Sequence, residues 1–213
     1  MSAGTPASER AGGTGAAAAT RAAYSRRAAE YIAALGDIAA MSPIDRAAIA
    51  EWASPLAGPV LDAGCGPGHW TAYLHGIGTQ VVGLDMVPEF IASARERFPR
   101  VSFRVGTLDS LPYAQGALAG ILAWYSLIHT PPARVPQVLA EFARCLEPGG
   151  SLLVGCFAGP QVRAFGHAVT TAYLWPPAQL SRALEGAGFR VVGVETRTDV
   201  GSRPHAAISA TLG

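Results

Sequence analysis

The chain has 213 residues, half of them hydrophobic and 15% charged, which suits one domain with a sizeable core and excludes disorder throughout. A formal net charge of +1 leaves no electrostatic footprint for nucleic acid or an anionic membrane surface. Three widely spaced cysteines, Cys65, Cys145 and Cys156, form no metal-ligand pattern and fit a reducing cytoplasm.

Residues 1–20 are small and polar without apolar periodicity and are expected to be a disordered tail, leaving 21–213 as a single domain. The first helix is predicted over 21–35, where Tyr24, Ala28, Tyr31 and Leu35 recur at helical spacing. A second should begin at Ser42, with Pro43 at its first position and Asp45 in its first turn. Strands and helices then alternate: strand 59–63, helix 69–76, strand 79–85, helix 88–98, strand 101–105, strand 118–124, helix 132–145, strand 151–157. Helix 177–187 follows, closing on Gly188, with strands at 189–196 and 205–212. Alternation of this kind implies right-handed crossovers and a parallel sheet. The last two strands are joined by a short Gly-Ser-Arg-Pro stretch with no room for a helix, so they must pair antiparallel. No run of about 18 apolar residues exists, so no transmembrane helix is expected.

The most informative run is VLDAGCGPG at 60–68: an apolar strand ends on Asp62, and the chain turns through Gly64, Cys65, Gly66 and Gly68. Glycines permit positive φ and let a ligand approach the backbone. A dinucleotide fingerprint spaces its glycines G-x-G-x-x-G; here the spacing is G-x-G-x-G, His69 stands at the distant position, and Pro67 removes an amide donor. No pyrophosphate is expected. A second strand ends on Asp85, 17 residues past Gly68, with Met86 next.

DAGCGPG resembles the first motif of class I S-adenosylmethionine-dependent methyltransferases, and TQVVGLDMV, FRVGTLDSLPY and CLEPGGSLLVG are similar to the motifs that follow it in that family. The resemblance spans roughly residues 20–212 and implies a three-layer α/β, Rossmann-like fold. Its sheet would have seven mostly parallel strands and a C-terminal antiparallel hairpin. It implies S-adenosyl-L-methionine as cofactor and a small-molecule acceptor, with no metal. The glycine loop, from Asp62 to Gly68, would curl around the methionine part, Asp85 would accept both ribose hydroxyls, and Leu108 and Asp109 would meet the adenine. Asp109, in an Asp-Ser pair before Leu-Pro, also fits ordinary turn chemistry, the adenine role being the favoured reading. Trp124 and Tyr125, after the fourth strand, would flank the sulfonium, where a π face attracts a cation; core filling is the other reading of Trp124. Family members often carry Asp early in this strand, where the chain has Ala119-Gly120.

YSRRAAEY resembles a helix that lids the site, with Tyr24 reaching the cofactor; ordinary helix packing is the other reading of Tyr24 and Tyr31. His129 is the candidate general base for an acceptor that must lose a proton, and capping the helix at 132 or contacting backbone is its alternative role. His167 is second choice. Residues 158–175 occupy the place of acceptor-covering insertions, and Arg163, Phe165, His167, Tyr173 and Trp175 suggest a mixed aromatic and basic lining for a partly aromatic, anionic acceptor. A different transfer on the same scaffold and a non-catalytic cofactor-binding subunit stay open. WYSLIHTPP lacks the acids of an aminopropyl transferase and the Asn/Asp-Pro-Pro-aromatic run that grips a flipped base. A monomer or homodimer is expected.

Overall fold

The computed structural model describes residues 8–213. Helix α1 (Ser8–Arg26) is followed by α2 (Ala28–Leu35), the chain breaking at Arg27 (φ −115) where one continuous helix was expected. The helix also reaches into the stretch expected to be a tail: it runs from Ser8, and residues 1–7 lie outside the described part. Residues 16–19 are four successive alanines, the strongest helix formers, which offsets the missing apolar stripe. Helix α3 (Pro43–Ala53) starts on Ser42, whose side chain accepts the Ile44 N–H at 3.2 Å.

The core alternates as anticipated: β1 (Val60–Ala63), α4 (His69–Gly76), β2 (Val81–Asp85), α5 (Pro88–Arg97), β3 (Ser102–Val105) and β4 (Leu118–Trp124). Two short 3-10 turns, Leu127–His129 and Pro132–Arg134, lead into α6 (Val135–Cys145), then β5 (Leu146–Phe157). After β6 (Arg163–Gly166) and β7 (Thr171–Leu174) come α7 (Pro177–Gly186), β8 (Phe189–Arg197) and β9 (His205–Leu212). The main sheet has seven strands in the order β3-β2-β1-β4-β5-β9-β8, parallel except for β9, which pairs antiparallel with both neighbours. The terminal hairpin is therefore present. Beyond it, β6 and β7 form a separate antiparallel ribbon within the expected insertion.

Strands β1 and β4 are buried along their whole length, as strands covered by helices on both faces must be. Helix α6 turns Val135, Val138, Leu139, Phe142 and Cys145 inward at i, i+3, i+4, i+7 spacing. Burying Leu139 and Phe142 completely contributes roughly 1.5–3 kcal/mol apiece. The unusual Gly120 in β4 has a packing cause: a Cβ there would lie 2.6 Å from Leu56 Cδ1, and Trp52 crowds the same spot.

Glu141 and Arg144 fasten α6 to the segment after β3. Glu141 Oε1 accepts the Leu111 N–H at 2.7 Å, and Arg144 donates to the Tyr113 carbonyl at 2.9 Å and back to Glu141. The Arg144 guanidinium holds the Glu141 carboxyl below its usual range. Residues 107–113 are thereby fixed at the carboxyl edge of the sheet.

Candidate active site

At the carboxyl ends of β1, β2, β4 and β5 lies a cavity of about 400 Å³, within the size range of small-molecule sites. Its floor is the glycine loop. The Gly64 and Cys65 amides both donate to the Leu84 carbonyl, at 2.7 and 3.0 Å, which draws the loop against β2. Gly64 (φ +81) admits no side chain, since a Cβ would lie 2.3 Å from Ser126 Cβ; at Gly66 (φ +53) it would meet nothing nearer than Tyr31 at 3.9 Å. At Gly66 the backbone itself faces the cavity.

Asp85 is clipped to that loop. Its Oδ2 accepts the Gly66 N–H at 2.9 Å and its Oδ1 the Val87 N–H at 2.8 Å. Burial pushes its carboxyl up to about 6 despite these bonds. Each oxygen keeps further accepting capacity. Met86, Leu108 and Asp109 continue the wall, and Asp109 Oδ2 pairs with Arg134 Nη2 at 3.2 Å.

The opposite end is aromatic. Trp124 packs against Trp70 and His205. Tyr125, among the described residues the one non-glycine with positive φ (56°), closes β4, and its hydroxyl is hydrogen-bonded to His205 Nδ1. Such strained backbone concentrates at functional sites. His129 Nδ1 faces the Thr171 carbonyl at 2.7 Å, and a carbonyl only accepts, so Nδ1 carries the proton. Nε2 then accepts from the Tyr24 hydroxyl at 2.7 Å. Burial lowers the His129 pKa and raises that of Tyr24, keeping both neutral. Tyr24 also packs edge-on against Tyr31 and Phe90, bringing α1, α2 and α5 together over the cavity.

A family profile described as "Methyltransferase domain" matches residues 60–150. The chain is 39% identical over 92 residues to the biotin biosynthesis bifunctional protein BioHC of Cellvibrio japonicus, covering 43% of this chain and 18% of that protein. It is 31% identical over 170 residues to the 2-phytyl-1,4-naphtoquinone methyltransferase of Thermosynechococcus vestitus, covering 65% of this chain and 75% of the relative. The chain belongs to the class I S-adenosylmethionine-dependent methyltransferases. Its matches span less than half the length of the first two curated relatives, 18% and 43%. In fold, the methyltransferase is similar to a Burkholderia thailandensis 1,6-didemethyltoxoflavin-N1-methyltransferase holding that compound and S-adenosylhomocysteine. That likeness has a TM-score of 0.78 at 23% identity, covering all of this chain and 93% of the other.

The residues present fit the family's cofactor: the Gly66 backbone is open to the cavity, and Ser126 Oγ and His69 Nδ1, on its wall, are buried without hydrogen-bond partners. Of the residues singled out from the sequence, Tyr24, Gly64, Cys65, Gly66, Asp85, Met86, Leu108, Asp109, Trp124, Tyr125 and His129 line the methyltransferase's cavity, as does His167. Asp62 and Gly68 stand behind it. Asp62 is 2% exposed and accepts from Thr71 Oγ1 at 2.6 Å. A Cβ on Gly68 would strike Phe103 and Ala94 within 2.8 Å, so this glycine serves packing. The Cys65 thiol is raised by burial, which suits packing rather than nucleophilic chemistry. Ser126 lies in the stretch after the fourth strand expected to flank the sulfonium, whereas Arg134 and His205 carried no motif and escaped the reading of the sequence. Among the described residues no helix is long and apolar enough to cross a membrane, and no three side chains gather as metal ligands.

Proposed function

We propose that this chain transfers a methyl group from S-adenosylmethionine to an uncharged, partly aromatic small molecule. The observation that carries this reading is continuity: one cavity joins Asp85 and the glycine loop at one end to Tyr125, His129 and Phe157 at the other. Bound there, the cofactor supplies an electrophilic methyl on a sulfonium. The backbone of Gly64 and Gly66 and the Ser126 hydroxyl would hold its methionine part, Asp85 its ribose, and Leu108 and Asp109 its adenine. Trp124 and Tyr125 offer π faces to positive charge, each worth about 0.5–2 kcal/mol depending on desolvation.

At the acceptor end the charged side chains of the cavity are remote or paired, and the wall presents Phe157, Ile128, His129 and His167. This favours a neutral acceptor. His129 is held in the tautomer whose Nε2 accepts, and that Nε2 is taken up by the Tyr24 hydroxyl, both side chains lining the cavity. An acceptor O–H or N–H would pass its proton to the Tyr24 oxygen as the phenol proton moves to His129 Nε2, and no free tyrosinate is required. Tyr24 thus combines a covering role with a proton-handling one. The Burkholderia structure of similar fold, which has 1,6-didemethyltoxoflavin and S-adenosylhomocysteine bound, supports a small-molecule acceptor.

Calorimetric titration with S-adenosylmethionine, S-adenosylhomocysteine and NADH, with Asp85→Ala as control, tests the cofactor reading. Micromolar binding of both sulfur nucleosides, lost in the variant, supports it. Silence with both, or preference for NADH, removes it.

A further inference from the structure

We infer that Arg134 is a specificity-determining positioning residue, which holds Asp109 so that the cavity reads a 6-amino purine and rejects a 6-oxo one. The inference rests on the adenosyl reading above and adds a residue and a selectivity to it. Arg134 ends the 3-10 turn Pro132–Arg134, its own N–H bonded to the Pro131 carbonyl at 2.8 Å. Prolines at 131, 132 and 136 fix φ on both sides of it, so its Cα is a stiff point on the cavity rim. Its Nη2 reaches Asp109 Oδ2 at 3.2 Å. Its Nε is buried with no hydrogen-bond partner, an orphaned donor on the wall of the same cavity. Asp109 Oδ1 makes no hydrogen bond among the described residues.

These atoms form an oriented pair. An ionised carboxylate only accepts, so Asp109 suits an exocyclic amine and repels a carbonyl oxygen in the same place. The Asp109 side chain is about one-third exposed, at 35%, and without a partner it would be free to turn to water. Arg134 supplies that partner, while the backbone of the segment is separately secured by Glu141 and Arg144. With Arg134 removed, Asp109 stays in the chain but loses its aim. With Asp109 neutralised, Arg134 and its orphaned Nε become donors available to a 6-oxo group.

The test compares binding of S-adenosylhomocysteine and S-inosylhomocysteine, its deaminated analogue, to the full chain by calorimetry. The variants are Arg134→Leu, Arg134→Gln, Arg134→Lys and Asp109→Asn, with circular dichroism reporting folding. The wild type should prefer the adenosyl compound by at least about tenfold. Arg134→Leu and Arg134→Gln should weaken the adenosyl compound by about tenfold and hardly alter the inosyl one, so that the ratio of the two Kd values falls toward one. Arg134→Lys should recover part of the ratio, and Asp109→Asn should favour the inosyl compound. A merely structural Arg134 would weaken both ligands equally, and an unchanged ratio in folded variants overturns the inference. Wild-type protein that binds neither compound removes the adenosyl reading as well, whereas wild-type selectivity with indifferent Arg134 variants removes the inference alone.

Discussion

Replacing Asp62 by Asn should stabilise the protein at neutral and alkaline pH while leaving nucleoside binding intact. Asp62 lies within β1, 2% exposed, and burial pushes its carboxyl from 3.8 to about 7, offset in part by the Thr71 hydroxyl. A carboxyl raised on folding contributes most to stability when protonated in both states. Its contribution is whole below about pH 4 and declines as pH rises toward 7. The shift of about three units corresponds to a ceiling of about 4 kcal/mol at 1.36 kcal/mol per unit. Asn keeps a carbonyl oxygen for Thr71 Oγ1, now 2.6 Å from Asp62 Oδ2, and cannot ionise. For a chain of this length each kcal/mol moves Tm by about 2–4 °C, so the variant should gain up to roughly 10 °C over wild type between pH 5 and 8. Differential scanning fluorimetry of both proteins across that range measures the difference, which includes the repulsion between Asp62 and Asp85 that the variant removes. S-adenosylhomocysteine affinity should stay within about threefold, because Asp62 stands behind the cavity wall. A difference in Tm that does not change with pH, or loss of nucleoside binding by Asp62→Asn, would refute the reasoning.

Asp85, at about 6 in the free protein, should make S-adenosylhomocysteine affinity fall as pH drops through 6 and level off above 7, since the ribose hydroxyls donate to the ionised form; isothermal titration at pH 5, 6, 7 and 8 would show this. Gly64→Ala places a Cβ 2.3 Å from Ser126 Cβ on a backbone at φ +81, and should cost on the order of 2 kcal/mol in urea unfolding as well as most nucleoside binding. For an acceptor bearing a transferable proton, Tyr24→Phe and His129→Ala should each lower kcat by about 10²-fold or more with nucleoside affinity nearly unchanged. The double variant should be no worse than the singles if the two side chains act as a unit, and additive losses would contradict that.

The seven-stranded sheet was legible because each strand and helix carries a local signature: the continuous apolar run of β4, the 3.6-residue stripe of α6, the short link between β8 and β9. The glycine loop and Asp85 were legible for a related reason, since backbone freedom and a strand-terminal acid are written in adjacent residues. Asp62 was not separable from them by pattern. A strand-terminal acid that faces the cavity and one that faces Thr71 look alike until the helix after the loop is placed. The bond between Tyr24 and His129 joins residues 105 positions apart, and Tyr125 meets His205 across 80. No periodicity encodes such pairs. The ribbon β6–β7 was hidden because each strand is four residues long and mixed in character, so its form depends on what it packs against.

The place of β9 has a consequence for the order of assembly. Although it follows β8 in the chain, it lies between β5 and β8, so β8 has no seat in the sheet until β9 has docked. A ribosome delivers β3, β2, β1, β4 and β5 first, and these five can pair as they emerge. The edge of β5 must then wait for the strand made after β8. His205, the first residue of β9, brings the partner of the Tyr125 hydroxyl, so the aromatic end of the cavity is completed only by a strand made after β8. Acquisition of ligand binding during refolding therefore serves as a clock for the docking of β9, and would lag behind the appearance of helical signal.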